Sequence, residues 1–469
     1  MTTMLTYSFV NANNECLYEY LYKCIKNDII SGVLAVHTKL PSKRSFAKNL
    51  GVSTITVENA YAQLAAEGYI FSIPKKGYYV SHLSMQMKDL AEFSTVPKKI
   101  SLPARKQAYF ADFKSNETRP DQFPFATWTK LMREVMAESA DLLMTNSPCC
   151  GILELREAIA AHLKQFHAIH ISPDQIVVGA GTEILYGLLI QLLGREKTFA
   201  VEEPGYQKIT KVYESNQVAC VHVPLDEQGP EMSVLTQSGA DILHISPSHH
   251  YPTGQVIPIS RRYELLGWAS AKEGRYIIED DYDSEFRFMG KPIPTLLSID
   301  TMGHTIYMNT FSKSLASTIR ISYMVLPPVL MQKFYDTLSF YSCTVSNFEQ
   351  YTLARFIQGG YFEKHINRMR NYYRTQRDQL LFCIKKSPLS SRVTIAEEDS
   401  GLHFLLKLAT DLDDQEIISR AAKRGLRLTF LAEYYHQPDA AAAHTLVINY
   451  SSIPPEKMEK AVELILECL

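Results

Sequence analysis

The chain has 469 residues, more than one ordinary domain holds, so two or three domains are expected. Hydrophobic content of 46% and charged content of 21% suit a globular protein, and no apolar run approaches the roughly 18 residues that cross a bilayer. The start MTTMLTYSFVNANNE offers neither a basic flank nor an apolar core, so no signal peptide and no membrane partner are expected. Eight scattered cysteines without a C-x-x-C pair argue for reduced thiols in a cytoplasm, against a disulfide framework and against a zinc site. The net charge of −2 hides an asymmetry. Residues 1–83 hold eight Lys/Arg against five Asp/Glu, a basic head of +3 on a body of −5.

In chain order, the first amphipathic pattern runs from Leu17 to Ser31, with Leu17, Leu21, Cys24, Ile25 and Ile29 on one face. Ser42 can cap a helix from Lys43 to Asn49, and Gly51 makes a sharp turn. Ser53 can cap a second helix through Glu67, with Val57, Ala60, Tyr61 and Leu64 inward and Gly68 closing it. IFSI and YYV then alternate as strands about the basic turn Pro74-Lys75-Lys76-Gly77. Helix, turn, helix and basic hairpin make a winged helix-turn-helix over residues 16–80, whose second helix reads the major groove of double-stranded DNA. Residues 81–105 lack sustained periodicity and read as a linker.

From residue 106 to 469 helical and strand patterns alternate. ELREAIAAHLKQF and TEILYGLLIQLL are helices. QIVVGAG, TFAVEEPGY, DILHISPSHHYPTG, RYIIEDDYDSEF and HTIYMNTFSK are strands that end in polar residues. Such alternation predicts a mostly parallel α/β sheet with its ligand beyond the carboxyl ends of the strands. Lys313, alone among small hydroxyl residues, would be an ordinary loop lysine; the company it keeps changes that. Gly181 and Thr182 turn from a strand into a helix N-terminus that can seat a phosphate, and Ser312 and Arg320 can donate to the same phosphate. Tyr206 offers a flat ring for stacking, and Asp280 and Tyr282 supply an acid and a phenol. A lysine able to form an imine, a phosphate seat, an aromatic lid, an acid and a phenol compose a pyridoxal 5′-phosphate site.

The wording of these segments carries a resemblance. LPSKRSFAKNLGVS-x-x-TV-x-x-AY-x-x-L-x-x-EGY resembles the DNA-binding domain of the GntR family. SPSHHYPTG, IIEDDYDSEF and TFSKSLASTIRISYMVLPP resemble the MocR/GabR regulators, which join such a head to a fold-type I aminotransferase-like body. The resemblance makes Lys43, Arg44, Lys75 and Lys76 phosphate or base contacts and puts Ser53, Thr54 and Thr56 at the start of the recognition helix. Thr54 departs from the arginine frequent there, so one strong guanine-reading contact is either missing or supplied elsewhere. It gives Lys313 the internal aldimine, Asp280 the pyridine nitrogen, Tyr282 the ring hydroxyl, Tyr206 the ring face, and Arg320 with Ser312 the phosphate. Cys149-Cys150-Gly151 before ELREAIA resembles a segment that approaches the neighbouring subunit's cofactor, which implies a homodimer with each head on the partner's body.

Two further departures matter. Tyr251 stands where many aminotransferases have asparagine before P-T-G. Lys208 stands where GABA-sensing relatives place an effector-binding arginine, and a point charge lacks the bidentate fork. Arg427 is a distant candidate for the second effector contact, so an effector other than GABA is expected. The function implied is a transcription regulator in which an amine-bearing or amino-acid-like effector exchanges with Lys313 to form an external aldimine. One alternative is a working aminotransferase with an accessory DNA-binding head, and a third is a sensor for which free pyridoxal 5′-phosphate is itself the signal.

Overall fold

The computed structural model describes residues 5–9, 15–82, 108–115, 117–287, 293–397 and 401–469, so nearly all of the expected linker lies outside the described residues. The chain divides into two units, Met1–Lys106 and Gln107–Leu469.

The first unit is built by its caps. Helix α1 spans Leu17–Ile30, α2 Lys43–Leu50 and α3 Thr54–Ala66. The Ser42 hydroxyl accepts from the Ser45 N–H and the Ser53 hydroxyl from the Thr56 N–H, each filling an orphan donor of a first turn. Gly51 ends α2 at φ 70°, where the Val52 N–H reaches back to the Ala47 carbonyl at 3.1 Å. That left-handed step is what glycine permits at a helix end. Strands β1 (Ile70–Ile73) and β2 (Gly77–Val80) pair antiparallel, Ile70 opposite Val80. Between them the Lys76 N–H bonds the Ile73 carbonyl, with Pro74 and then Lys75 at φ 63°, the pattern of a type II turn. Val57, Ala60, Tyr61 and Leu64 are fully buried against Leu21, Ile25, Phe46 and Ile70. Leu17 departs from expectation: it is 44% exposed, and Tyr22 is buried in the same helix instead. A first-turn residue has fewer neighbours to pack on, which the periodicity of α1 does not reveal.

In the second unit a two-residue strand β3 (Ala111–Asp112) precedes the main sheet. The main strands are β4 (Ile176–Gly179), β5 (Thr198–Glu203), β6 (Ala219–Asp226), β7 (Gly229–Pro230), β8 (Ile242–Ile245), β9 (Tyr276–Asp280), β10 (Thr305–Thr310) and β11 (Ser322–Val325), in the order β4-β11-β10-β9-β8-β5-β6-β7. The inner run β10-β9-β8-β5-β6 is parallel, and β11 runs antiparallel to both β10 and β4. The sheet is therefore mostly parallel, as the alternation of elements requires. It is buried on both faces. Ile176, Val178, Tyr307 and Tyr323 join one apolar cluster, while Val177, Ile306, Met308 and Met324 join the other, the period-2 signature of a strand. Strands β12 (Val393–Ala396), β13 (His403–Leu408) and β15 (Thr445–Asn449) form a smaller antiparallel sheet, and β14 (Leu426–Arg427) lies beside β3. No helix among the described residues is long and apolar enough to cross a membrane.

Candidate cofactor site and nucleic-acid interface

Parallel strands β4, β5, β8, β9 and β10 all point their carboxyl ends to one edge of the sheet, and β11 begins at that edge because it runs the other way. The residues that follow those ends are therefore neighbours in space. They include Gly181, Tyr206, His249, Tyr251, Tyr282 and Lys313, with Arg320 entering β11.

Lys313 lies on the one-turn helix Phe311–Ser314, which begins where Thr310 Oγ1 accepts the Ser312 N–H. Burial brings its amine down from 10.5 to about 8, and the nearby Asp283 carboxylate acts in the opposite sense. A lysine so placed holds a substantial neutral fraction near neutral pH, which is the nucleophilic form. The rate at which apo protein captures an aldehyde cofactor should therefore rise with pH and level off above about 8. A stopped-flow pH series checks this, and a midpoint near 10.5 would refute it.

Asp280 ends β9 and is buried. Its Oδ2 accepts from the Tyr186 hydroxyl at 2.6 Å and lies 3.5 Å from His244 Nε2, while His244 Nδ1 meets the Tyr213 hydroxyl at 2.6 Å. Its Oδ1 is buried with no hydrogen-bond partner among the described residues. A buried carboxylate oxygen left without a donor is costly, and it marks the place of an N–H donor from a bound group. Gly181, at φ 96°, precedes the helix Thr182–Leu193, and a Cβ there would meet the Arg320 guanidinium at 2.5 Å. Arg320 adopts φ 56° and donates to the Ala180 carbonyl at 3.2 Å and to the Glu183 carboxylate. First-turn N–H groups, which have no intrahelical partner, and a guanidinium thus converge beside a residue that has no room for a side chain, an anion seat. Ser312 is half-buried beside Lys313. Tyr206 caps the helix Gln207–Ser215, is 47% exposed and meets Tyr251 edge-on with ring centroids 5.9 Å apart. Tyr282 meets His249 Nδ1 at 3.2 Å.

The two residues expected at the effector end are both engaged. Lys208 pairs with the Glu183 carboxylate, whose other oxygen pairs with Arg320. Arg427, on β14, pairs with Asp112 Oδ2 at 3.2 Å and stacks over Tyr109. Spacing alone did not reveal Tyr186, His244, His249, Asp283 or Glu183. Tyr186 hides in the apolar helix TEILYGLLIQLL; the paired histidines of SPSHHY were the one available signal.

In the head, Arg44, Ser53, Thr54, Lys75 and Lys76 are exposed and Thr56 is half-buried. Ser53 Oγ and Thr56 Oγ1 lie 2.8 Å apart, so those hydroxyls serve the cap as well as any base edge. Lys43 is tied to Glu58 on α3 at 2.7 Å and lies over the Tyr78 ring.

Comparison with known proteins agrees with both units. Residues 17–80 match the bacterial regulatory proteins of the gntR family, and residues 110–465 match aminotransferase class I and II. The chain is 37% identical over 448 residues to the "Uncharacterized HTH-type transcriptional regulator YdeL" of Bacillus subtilis (strain 168), covering 95% of each. It is 29% identical over 463 residues to the "Probable rhizopine catabolism regulatory protein MocR" of Rhizobium meliloti, covering 95% of this chain and 92% of that one. Among solved structures, the Pyrococcus horikoshii kynurenine aminotransferase superposes with a TM-score of 0.67 at 23% identity, over 82% of this chain and 98% of that one, a likeness of fold. Fold and site define a GntR-type DNA-binding head joined to a fold-type I, pyridoxal 5′-phosphate-dependent aminotransferase-like body. The chain belongs to the MocR-type transcriptional regulators. The orphaned Asp280 oxygen, the anion seat at Gly181 and the buried amine of Lys313 fit that cofactor.

Proposed function

We propose that the body senses a small molecule bearing a primary amine and converts its capture into a changed grip of the head on a double-stranded DNA operator. The observation that carries this reading is Lys313, a buried amine lowered to about 8 in a crevice whose acid, Asp280, has an unpartnered oxygen. Bound there, the cofactor supplies an aldehyde that condenses reversibly with primary amines, that of Lys313 or that of an effector. Asp280 would take the ring N–H, Tyr206 would cover the ring face, and Tyr282 would bond the ring oxygen. Gly181, Thr182, Ser312 and Arg320 would hold the phosphate. Any shift between conformations is limited by the effector's differential affinity for them. The body works as a homodimer in the cytoplasm, each head on the partner's body; Leu142 and Met144, 47% and 75% exposed just before Cys149–Gly151, support a second copy there.

A spectral titration of the holoprotein with amines, amino acids and small peptides, run beside operator binding, tests the reading. Ligands that move the cofactor's visible band should also move DNA affinity. Steady turnover of an amino donor and a keto acid, with DNA binding unmoved, would make the chain a working aminotransferase instead.

Lys208 and Arg427 are the proposed contacts for the effector's remote end. Because Lys208 already pairs with Glu183, an incoming carboxylate or amide must compete for it. Lys208→Ala should weaken effector binding several-fold, about 1 kcal/mol for a half-exposed cation. The cofactor spectrum and bare DNA affinity should be unchanged. Equal loss of cofactor would move Lys208 into the cofactor site.

At the wing, Lys75→Ala with Lys76→Ala should weaken binding to all sequences alike. Each lost phosphate contact removes about 0.9 from the slope of log affinity against log salt, so about 2 is lost per head. An unchanged slope in a salt series would take the wing off the DNA. Changes at Thr54 or Thr56 should instead alter which sequences bind.

A further inference from the structure

We propose that His249 and Asp283 are positioning residues that make Tyr282 a donor to the cofactor's ring oxygen. The inference rests on the cofactor site described above. His249 follows β8 and Asp283 follows β9; they are 4% and 3% exposed. His249 Nδ1 lies 2.9 Å from Asp283 Oδ2 and 3.2 Å from the Tyr282 hydroxyl, so one ring nitrogen serves two oxygens.

A ring nitrogen carries either a proton or a lone pair. A lone pair facing a carboxylate oxygen at 2.9 Å in a water-poor interior is repelled, whereas an N–H there makes a charge-assisted bond. Nδ1 therefore carries the proton and gives it to Asp283. His249 Nε2 is then a bare acceptor, which agrees with its being buried without a partner among the described residues. An orphaned acceptor is tolerated more readily than an orphaned N–H. With Nδ1 unable to accept, the Tyr282 proton has to turn to another acceptor.

The ring is closely packed where it stands. A Cβ at Gly401, φ 71°, would overlap it, and the His403 ring lies with its centroid 4.9 Å away. His403 is itself fixed by the Pro252 carbonyl at 3.0 Å. Tyr251, which stands in the place of the usual asparagine, spends its hydroxyl on Tyr434 at 2.7 Å. The titratable groups facing His249 are thus Asp283, Tyr282, His403 and the adjacent His250, and Asp283 in turn acts on Lys313. Burial holds both other histidines neutral, His250 at about 3, and holds the Tyr282 phenol far above its ordinary value. Tyr282 keeps its proton to donate.

Donation to the ring oxygen shares that oxygen's negative charge, so the site holds its titrating proton less tightly. The test is a pH titration of the holoprotein's visible band in a double-mutant cycle of Asp283→Asn and Tyr282→Phe. Tyr282→Phe should raise the band's midpoint by about one unit. Asp283→Asn frees Nδ1 to accept from Tyr282, as a carboxylate-to-amide change frees a histidine's tautomer elsewhere. It also removes a negative charge near Lys313, which lowers the midpoint. In the Tyr282→Phe background only that charge effect remains. The Asp283→Asn shift should therefore be about one unit more negative in that background than in the one that keeps the tyrosine. Equal shifts in the two backgrounds overturn the proposal. If Asp283→Asn does not yield folded holoprotein, His249→Asn against His249→Leu replaces it, since asparagine keeps an N–H donor at the Nδ1 place. The asparagine variant should then keep the dependence on Tyr282→Phe, whereas the leucine variant should lose it because the unpartnered Asp283 carboxylate draws the phenol proton; equal dependence overturns the proposal. A wild-type protein with no visible band would instead remove the cofactor site itself.

Discussion

Lys313→Ala should abolish the visible absorbance of the bound cofactor and the borohydride-fixable adduct, while leaving a folded protein. Alanine removes the buried primary amine of the crevice. Lys208 is no substitute, because its ammonium is half-exposed and held by Glu183. Arg320, Asp280 and the helix N-terminus would still bind cofactor, but without a covalent bond. Retention should fall about a hundredfold or more, ~2.7 kcal/mol. A borohydride-fixed lysine adduct at the site in the variant would refute the assignment. Stability should move the other way. In the fold the amine titrates at about 8 against 10.5 ordinarily, so between those values the unfolded chain binds more protons. The stability of apo wild type therefore rises with pH across that window and carries the full burial cost below it. Apo Lys313→Ala should be at least as stable as apo wild type at pH 7, and its stability should be flatter from pH 8 to 10.5. Denaturant titrations at the two ends of the window check the sign.

Arg262→Ala should be the most destabilising single change in the body. The side chain is fully buried in the helix Ile259–Ser270. It donates to three carbonyls, Ile257 at 3.0 Å, Pro294 at 3.0 Å and Pro247 at 2.8 Å, and stands 3.7 Å from Glu279. Glu279 is fully buried too. Burial raises it to about 7, although the Leu296 and Leu297 N–H groups donate to it. Removing the cation leaves an uncompensated buried acid and three unpaired acceptors, a loss of about 3–5 kcal/mol. That is a large part of the stability of an ordinary domain. The thermal midpoint of the body should fall by about 4 to 7 °C. Pro247 begins the segment leading to His249 and Tyr251, so cofactor retention should fall with it. Arg262→Lys should not rescue, because one ammonium cannot span three carbonyls held by a planar fork. A midpoint within about 2 °C of wild type, read by calorimetry, would count against this account.

The head was legible almost residue by residue, because its caps, glycines and basic turn are local signals. Ser42, Gly51, Ser53 and Pro74 each act within a few residues of themselves. Five strands of the main sheet, β4, β5, β8, β9 and β10, were legible as short apolar runs followed by polar or turn residues, whereas β6 and the smaller antiparallel sheet were not read from the pattern. What the sequence hid was pairing at a distance. Tyr186 meets Asp280 across 94 residues and His249 meets Asp283 across 34, and no spacing rule connects them. Lys43 and Lys208 read as free cations because their partners, Glu58 and Glu183, sit on other helices. Charge is visible in a sequence; who neutralises it depends on the fold.

The antiparallel strand β11 pairs with β4, and with it Arg320 reaches back to Ala180 across 140 residues. Consider the order in which a ribosome delivers these parts. The head is complete at Val80, whereas the phosphate seat does not exist until β11 has emerged. At ribosomal rates that is a delay of roughly 10 to 50 s, during which the first unit can already fold. In every newly made molecule, the DNA-binding unit is finished before the aminotransferase-like unit.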